Sequence, residues 1–259
     1  MESPERFEFK FLLGGALPED FLAQLGDALT PDRQGGSTGV YPVVSLYYDT
    51  PDLRCYWEAC RNVPSRRKLR VRVYGSADGR IAATSFIEIK HKVNGLGFKR
   101  RLQAELAEAL DLVEGRQSAA DLPAGSRRIV EEAQHFVREE GFVPCCTIRY
   151  LRHAYWLDAD RMDESARGHP PLRVTVDSTL MVRFENLRPK PDDNGFSIQL
   201  LPAETRVLEI KGTGAMPFAV AQRLARAGIR VSGMSKYCKA VEHLLHQNRL
   251  STNRTHSIG

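Results

Sequence analysis

The sequence lacks most of the signatures that assign a protein quickly. Aromatic residues are only 8% of its 259 positions, and its five cysteines are odd in number and scattered, with no Cys-x-x-Cys pair among them. That argues against a disulfide framework, and the adjacent Cys145 and Cys146 read as reduced strand residues. No run approaches the ~20 apolar residues of a bilayer-spanning helix. The start, "MESPERFEFKF", has no basic region followed by an apolar run, so no signal peptide is expected and a reducing cytoplasmic setting is. Phosphate-loop chemistry of the Walker type is missing, because "GGSTGVYP" has no Lys-Ser/Thr ending. "GTGAMP" lacks the third glycine of a dinucleotide fingerprint and reads as a strand-to-helix turn, and there is no Gly-x-Ser-x-Gly elbow. His243 and His246 share a helix face without a third ligand nearby and read as solvated.

What is present is an ordinary globular composition, 42% hydrophobic and 27% charged, with a net charge of +5 that favours an anionic partner. Residues 1–247 are expected to form a single domain, followed by a polar, disordered tail at 248–259. Apolar stripes at helical spacing predict helices in "LPEDFLAQLGDAL", "QAELAEALDLVEG", "SRRIVEEAQHFVREEG" and "SGMSKYCKAVEHLLHQ", the last with Ser232 as N-cap. Strand-like runs occupy 5–13, 43–49, 66–74, 84–92, 97–103, 145–157, 171–177, 180–185 and 204–211, with loops at 34–39, 75–80, 93–97 and 188–195. Many long strands with interspersed helices predict an α+β domain on an antiparallel sheet or barrel. Trp57 and Trp156 read as packing residues, although Tyr150 or Trp156 is placed to border a base site.

The strands share a pattern. Successive side chains of a strand point to opposite faces, so in "RRKLRVRVY" Lys68, Arg70 and Arg72 lie opposite Leu69, Val71 and Val73. Glu88, Lys90 and Lys92 lie opposite Ile87 and Ile89, and Arg173, Thr175 and Asp177 opposite Leu172, Val174 and Val176. The unit Glu-x-Lys recurs three times, at Glu8/Lys10, Glu88/Lys90 and Glu209/Lys211. One arrangement is a sheet with one wet face. Yet cations outnumber anions on these faces, and cations ~6 Å apart repel by roughly 3 kcal/mol at an effective dielectric near 20. The other arrangement curls the sheet into a barrel, its apolar face outward under the helices and its charged face around a multiply charged anion. Spacing leaves both open.

The ordered set "RFEFKF", "SLYYDTPDL", "RKLRVRVY", "FIEIKHK", "GFKRR", "IRYLRHAYW", "LRVTVDSTL", "VLEIKG" and "SGMSKYC" resembles the VTC domain, the polyphosphate polymerase domain of the vacuolar transporter chaperone family. That family belongs to the triphosphate tunnel metalloenzyme, or CYTH-like, superfamily, and the likeness runs from about residue 5 to 245. It implies an antiparallel eight-stranded barrel with a charged lumen and peripheral helices. It also implies a phosphotransferase that moves the γ-phosphoryl of ATP onto inorganic polyphosphate with Mn²⁺ or Mg²⁺. By motif, Arg70, Arg72, Lys90, Arg152, Arg173 and Lys236 correspond to catalytic cations. Lys10, Lys99, Tyr150, Lys211 and Ser235 correspond to phosphate-binding residues, and Glu209 to the metal ligand. Arg6 stands where the wider superfamily's Glu-x-Glu-x-Lys signature has its first glutamate, which favours the polymerase branch over the triphosphatases. Gly233 replaces a lysine usual in the eukaryotic polymerases. The rival readings are a hydrolase using the same tunnel and a non-catalytic polyphosphate- or inositol-phosphate-binding module. Nucleic acid is not an expected partner, since no RNP-like aromatic strand motif occurs, and no membrane segment is read.

Overall fold

The computed structural model describes residues 6–15, 17–162, 167–190, 193 and 195–256. The strands are β1 (Arg6–Leu13), β2 (Leu29–Pro31), β3 (Val40–Asp49), β4 (Ser65–Gly75), β5 (Ile81–Val93), β6 (Leu96–Glu105), β7 (Val143–Leu157), β8 (Leu172–Arg183), β9 (Ile198–Gln199) and β10 (Arg206–Thr213). The helices are α1 (Leu17–Leu25), α2 (Arg54–Cys60), α3 (Leu106–Val113), α4 (Ala124–Arg138), α5 (Phe218–Arg226) and α6 (Lys236–His256). Eight strands follow one antiparallel path, β1-β10-β8-β7-β3-β4-β5-β6, with β2 added to β7 and β9 to β8.

The alternation read from the sequence sorts the two faces. Leu69, Val71, Ile87 and Ile89 are fully buried and pack with Leu106, Leu110, Val113, Val130 and Phe136 of α3 and α4. Phe11, Leu13, Val174, Val176, Leu208 and Ile210 pack with Phe21, Leu25, Val220 and Leu224 of α1 and α5. Each fully buried aliphatic or aromatic side chain contributes ~1.5–3 kcal/mol. Two such clusters on the outer face offset the cost of crowding charge on the inner one.

A single ion pair shows that the sheet is curled. Six strand spacings of ~4.8 Å would separate β1 from β5 by roughly 29 Å in a flat sheet. Instead Lys90 of β5 lies 3.4 Å from Glu8 of β1. The charged face is therefore the inside of a curled half-barrel, and Lys90 and Glu8 reach across its open side. Helix α6 meets it from one end. Asp49, buried at the end of β3, accepts hydrogen bonds from the Cys55 and Tyr56 amides of α2 and from the Tyr237 hydroxyl. Tyr237 also stacks on Tyr47 at 5.3 Å, which docks the first turn of α6 against the inner face.

Five local expectations need correction. The runs 171–177 and 180–185 form one strand, β8; Thr179 takes φ 51 and the pairing with β7 shifts register there, so a bulge broke the alternation without ending the strand. Ser232 is not the N-cap of α6, because its amide donates to the Lys10 carbonyl at 2.6 Å and Val231 pairs with Phe11. The helix starts later, with the Ser235 hydroxyl accepting from the Cys238 amide at 3.3 Å. Trp57 and Trp156 are 40% and 45% exposed rather than packed inside. His243 Nε2 is buried without a hydrogen-bond partner, so of the two histidines only His246 is exposed. Helix α6 also continues to His256, through most of the segment whose polarity reads as a tail; residues 257–259 lie outside the described ones.

Candidate functional site

The floor of the curled sheet is built around Lys236, carried in by the first turn of α6. Its ammonium is 2.6 Å from Asp177 and 3.4 Å from Glu209, and sits 4.8 Å from the centre of the Tyr150 ring. Arg152 grips Asp177 through two hydrogen bonds of 2.7 and 2.8 Å. Asp177 is fully buried and Glu209 is 5% exposed. Burial alone would raise both carboxyl pKa values, but Arg152 and Lys236 hold Asp177 below its ordinary value, and Lys236, Lys211 and Lys10 do the same for Glu209. Burial likewise opposes the charge on Lys236, but Asp177 and Glu209 outweigh it and raise its pKa. All these groups stay ionised at neutral pH.

A second group lines the wall formed by β3 to β6. Glu88, 1% exposed, receives Arg70 Nε at 2.7 Å and Lys99 Nζ at 3.1 Å, with Arg72 Nε at 3.9 Å. Arg70 also donates to the Tyr47 hydroxyl at 3.1 Å, and Arg72 to the Ser45 hydroxyl at 2.9 Å. Lys68 donates to Ser235 Oγ at 3.1 Å. Ser235 thus caps α6 and anchors a wall lysine at once. Each guanidinium is fixed on one edge by a protein acceptor, so less rotamer freedom remains to be lost when an anion binds.

Toward the open side, Glu8 lies among lysines: Lys10 at 3.2 Å, Lys90 at 3.4 Å and Lys211 at 3.9 Å. Burial works against the Glu8 charge, yet Lys211, Lys10 and Lys90 bring its pKa down to about 2. Lys90 is pulled below its ordinary value, by burial first, despite Glu8. Lys211 also pairs with Glu209 at 2.8 Å, which joins this group to the floor.

Eleven of the twelve residues singled out from the sequence thus fall into one connected lining. Arg173 stands apart. Its guanidinium pairs with Asp32, donates to the Tyr41 hydroxyl at 3.3 Å, and lies 5.0 Å over the Trp156 ring. Asp32 is held there because the loop before β3 docks on β7: the Asp32 amide donates to the Ala154 carbonyl at 2.8 Å, and the Ala154 amide to the Gly39 carbonyl at 2.9 Å. Gly39 has φ +69, and a Cβ there would stand 2.5 Å from the Ala154 carbonyl oxygen, so only glycine lets the loop approach.

A family model for the VTC domain matches residues 5–245 of this chain. The chain belongs to the VTC domain family. It is a triphosphate-tunnel protein, and the VTC match spans every strand described above. No curated protein matches the sequence. Among solved structures, the chain is similar to a Vibrio parahaemolyticus protein described as a candidate adenylate cyclase, at 10% identity and a TM-score of 0.44, over 93% of this chain and 99% of that one. That likeness is too slight to bear on function.

Triphosphate tunnel enzymes generally use divalent metals, and this VTC domain offers a modest donor set for one. Among the described residues no cluster of three His, Cys, Asp or Glu side chains stands together. Glu209 and Glu8 occupy adjacent strands on the inner face, both held in the anionic form. A hard dication that keeps waters and takes phosphate oxygens needs only one or two carboxylates, so the donors fit. The three lysines within 4 Å of Glu209 (2.8, 3.4 and 3.9 Å) would repel a free dication, so a cation held there would need an anion bound beside it. Sequence reasoning left Glu88, Asp177, Glu8, Lys68 and the Ser45 and Tyr47 hydroxyls without roles. All but the two hydroxyls were visible by parity in the charged runs; their pairing across the curl was not.

Proposed function

We propose that this VTC domain is a polyphosphate polymerase, an ATP-polyphosphate phosphotransferase that uses Mn²⁺ or Mg²⁺. In the reaction an anionic oxygen of the chain's terminal phosphate forms a bond to the γ-phosphorus of ATP. The bond from that phosphorus to the β–γ bridging oxygen breaks, and ADP leaves. The attacking oxygen is already ionised, so no side chain need abstract a proton. The demand on the protein is positioning and charge stabilisation.

The observation that carries the reading is the convergence on one lining of Lys10, Arg70, Arg72, Lys90, Lys99, Arg152, Lys211 and Lys236, each aimed by a carboxylate or hydroxyl. The lumen hydroxyls of Ser45 and Ser235 accept from Arg72 and Lys68, so they serve as props for cations rather than as nucleophiles. Arg70, Arg72 and Arg152 offer planar forks to phosphate oxygens, while the lysines follow a moving chain as point charges. Glu209, with Glu8 beside it, would hold the metal. When bound, a divalent ion there would supply positive charge against the negative charge that develops on the transferred phosphoryl group. The five cysteines are all free, which suits a reducing cytoplasm.

Incubation with ATP and Mn²⁺ followed by separation of products tests the reading. Polymerase activity gives phosphate chains and stoichiometric ADP. Release of orthophosphate alone would mean that water is the acceptor and the tunnel hydrolyses. Tight polyphosphate binding without turnover would leave a binding module.

A further inference from the structure

Trp156 is the one large aromatic on the inner parity of β7 that is left open, 45% exposed at the outer end of the row. The cross-strand register places Trp156 opposite Arg173, Arg173 opposite Lys211, and Lys211 opposite Glu8. This row runs across four strands on the charged face. The next row inward is Ala154, Thr175, Glu209 and Lys10. At ~4.8 Å per strand, Trp156 lies about 10 Å from the start of the lysine cluster, a span suited to the reach from a nucleobase to its distal phosphates.

Arg173 fixes that ring. Its guanidinium lies over Trp156 at 5.0 Å, while Asp32 and Tyr41 occupy its hydrogen-bonding edge. An arginine whose charge is already paired and whose plane backs an indole is built to hold the indole more than to seize a phosphate. The ion pair fixes the ring while leaving it 45% exposed, so its open surface is free to take a partner, and a flat π-system in line with bound phosphates is the one the row fits.

We propose that Trp156 is the stacking platform for the base of the nucleoside triphosphate, with Arg173 and Asp32 as its positioning residues. This rests on the tunnel binding a triphosphate, and it assigns base selection to a site outside the phosphate lining. Arg173 then contributes to nucleotide recognition through the indole, not as a member of the central cation set.

Fluorescence separates the two. With Trp57→Phe as background, Trp156 is the remaining tryptophan. ATP is expected to quench it on titration, whereas tripolyphosphate, which has no base, binds without comparable quenching. Trp156→Ala should weaken ATP binding about tenfold, leave tripolyphosphate binding within about twofold, and melt at nearly the wild-type temperature. Trp156→Phe should restore most of the ATP affinity. Equal weakening of ATP and tripolyphosphate by Trp156→Ala would make the residue structural and overturn the platform. Unchanged ATP affinity would overturn it too while leaving the tunnel standing. A wild-type protein that binds neither ligand would overturn the tunnel reading and the platform with it.

Discussion

Glu88→Gln should make the protein less stable and a better polyanion binder at once. Glu88 is buried against Arg70 at 2.7 Å and Lys99 at 3.1 Å, with Arg72 at 3.9 Å. Breaking a buried ion pair by removing one partner costs about 3–5 kcal/mol. Two features lower that figure here: glutamine keeps the shape and one acceptor, and the Arg70 and Lys99 side chains are 20% and 44% exposed, so water screens what remains. A loss of about 2–3 kcal/mol follows, or a fall in Tm of roughly 5–10 °C for a chain of this size. In the bound state the sign reverses. A negative charge ~6 Å from a phosphate at an effective dielectric of about 20 opposes binding by roughly 3 kcal/mol before screening. Its removal should tighten tripolyphosphate binding by about tenfold or more, and saturating tripolyphosphate should raise the variant's Tm by more than the wild type's. Differential scanning fluorimetry with and without ligand, together with calorimetric titration, reads both. An unchanged Tm with unchanged affinity would refute the assignment of Glu88 as the carboxylate that holds these cations in place.

Glu209→Gln should sharply reduce Mn²⁺-dependent turnover while metal-free polyphosphate binding persists or tightens; undiminished turnover at limiting Mn²⁺ would place the metal elsewhere. Tripolyphosphate affinity should fall more than about tenfold as ionic strength rises from about 0.05 to 0.5 M, since several Lys and Arg contacts are screened together; salt-independent binding in the same titration would contradict a charged lumen. The Glu8 carboxyl is depressed from 4.5 to about 2 in the folded protein, so its contribution is complete above pH 4.5 and is lost as pH falls towards 2. Glu88, Asp177 and Glu209 are shifted in the same direction. Thermal melts in phosphate-free buffer should therefore decline steeply below about pH 4.5, and a flat profile down to about pH 2.5 would count against these pairs.

The two faces of the sheet were legible in the sequence wherever alternation was uninterrupted, whereas its curl was expected only from the family likeness. Lys68, Arg70 and Arg72 opposite Leu69, Val71 and Val73 marked an inner and an outer face of β4, and the structure keeps both. Parity cannot report which strands meet across a curl. That Lys90 would find Glu8, or Lys236 find Asp177, depends on the path of eight strands and on where α6 enters. Local signals also lost to distant pairing: Ser232 has the chemistry of an N-cap, but its amide is taken by the Lys10 carbonyl of β1. Thr179 interrupted the alternation of β8 through a bulge that a sequence cannot distinguish from a turn. Arg173 looked like another lumen cation because it shares their parity, and only the docking of the loop that carries Asp32 shows where its charge goes.

The most direct measurement is a crystal structure with tripolyphosphate and Mn²⁺ bound. Phosphate oxygens are expected within hydrogen-bonding distance of Lys10, Arg70, Arg72, Lys90, Lys211 and Lys236, with the cation against Glu209. Phosphates bound on the outer, helix-covered surface, with this lining left unaltered at saturating ligand, would contradict the tunnel as the site.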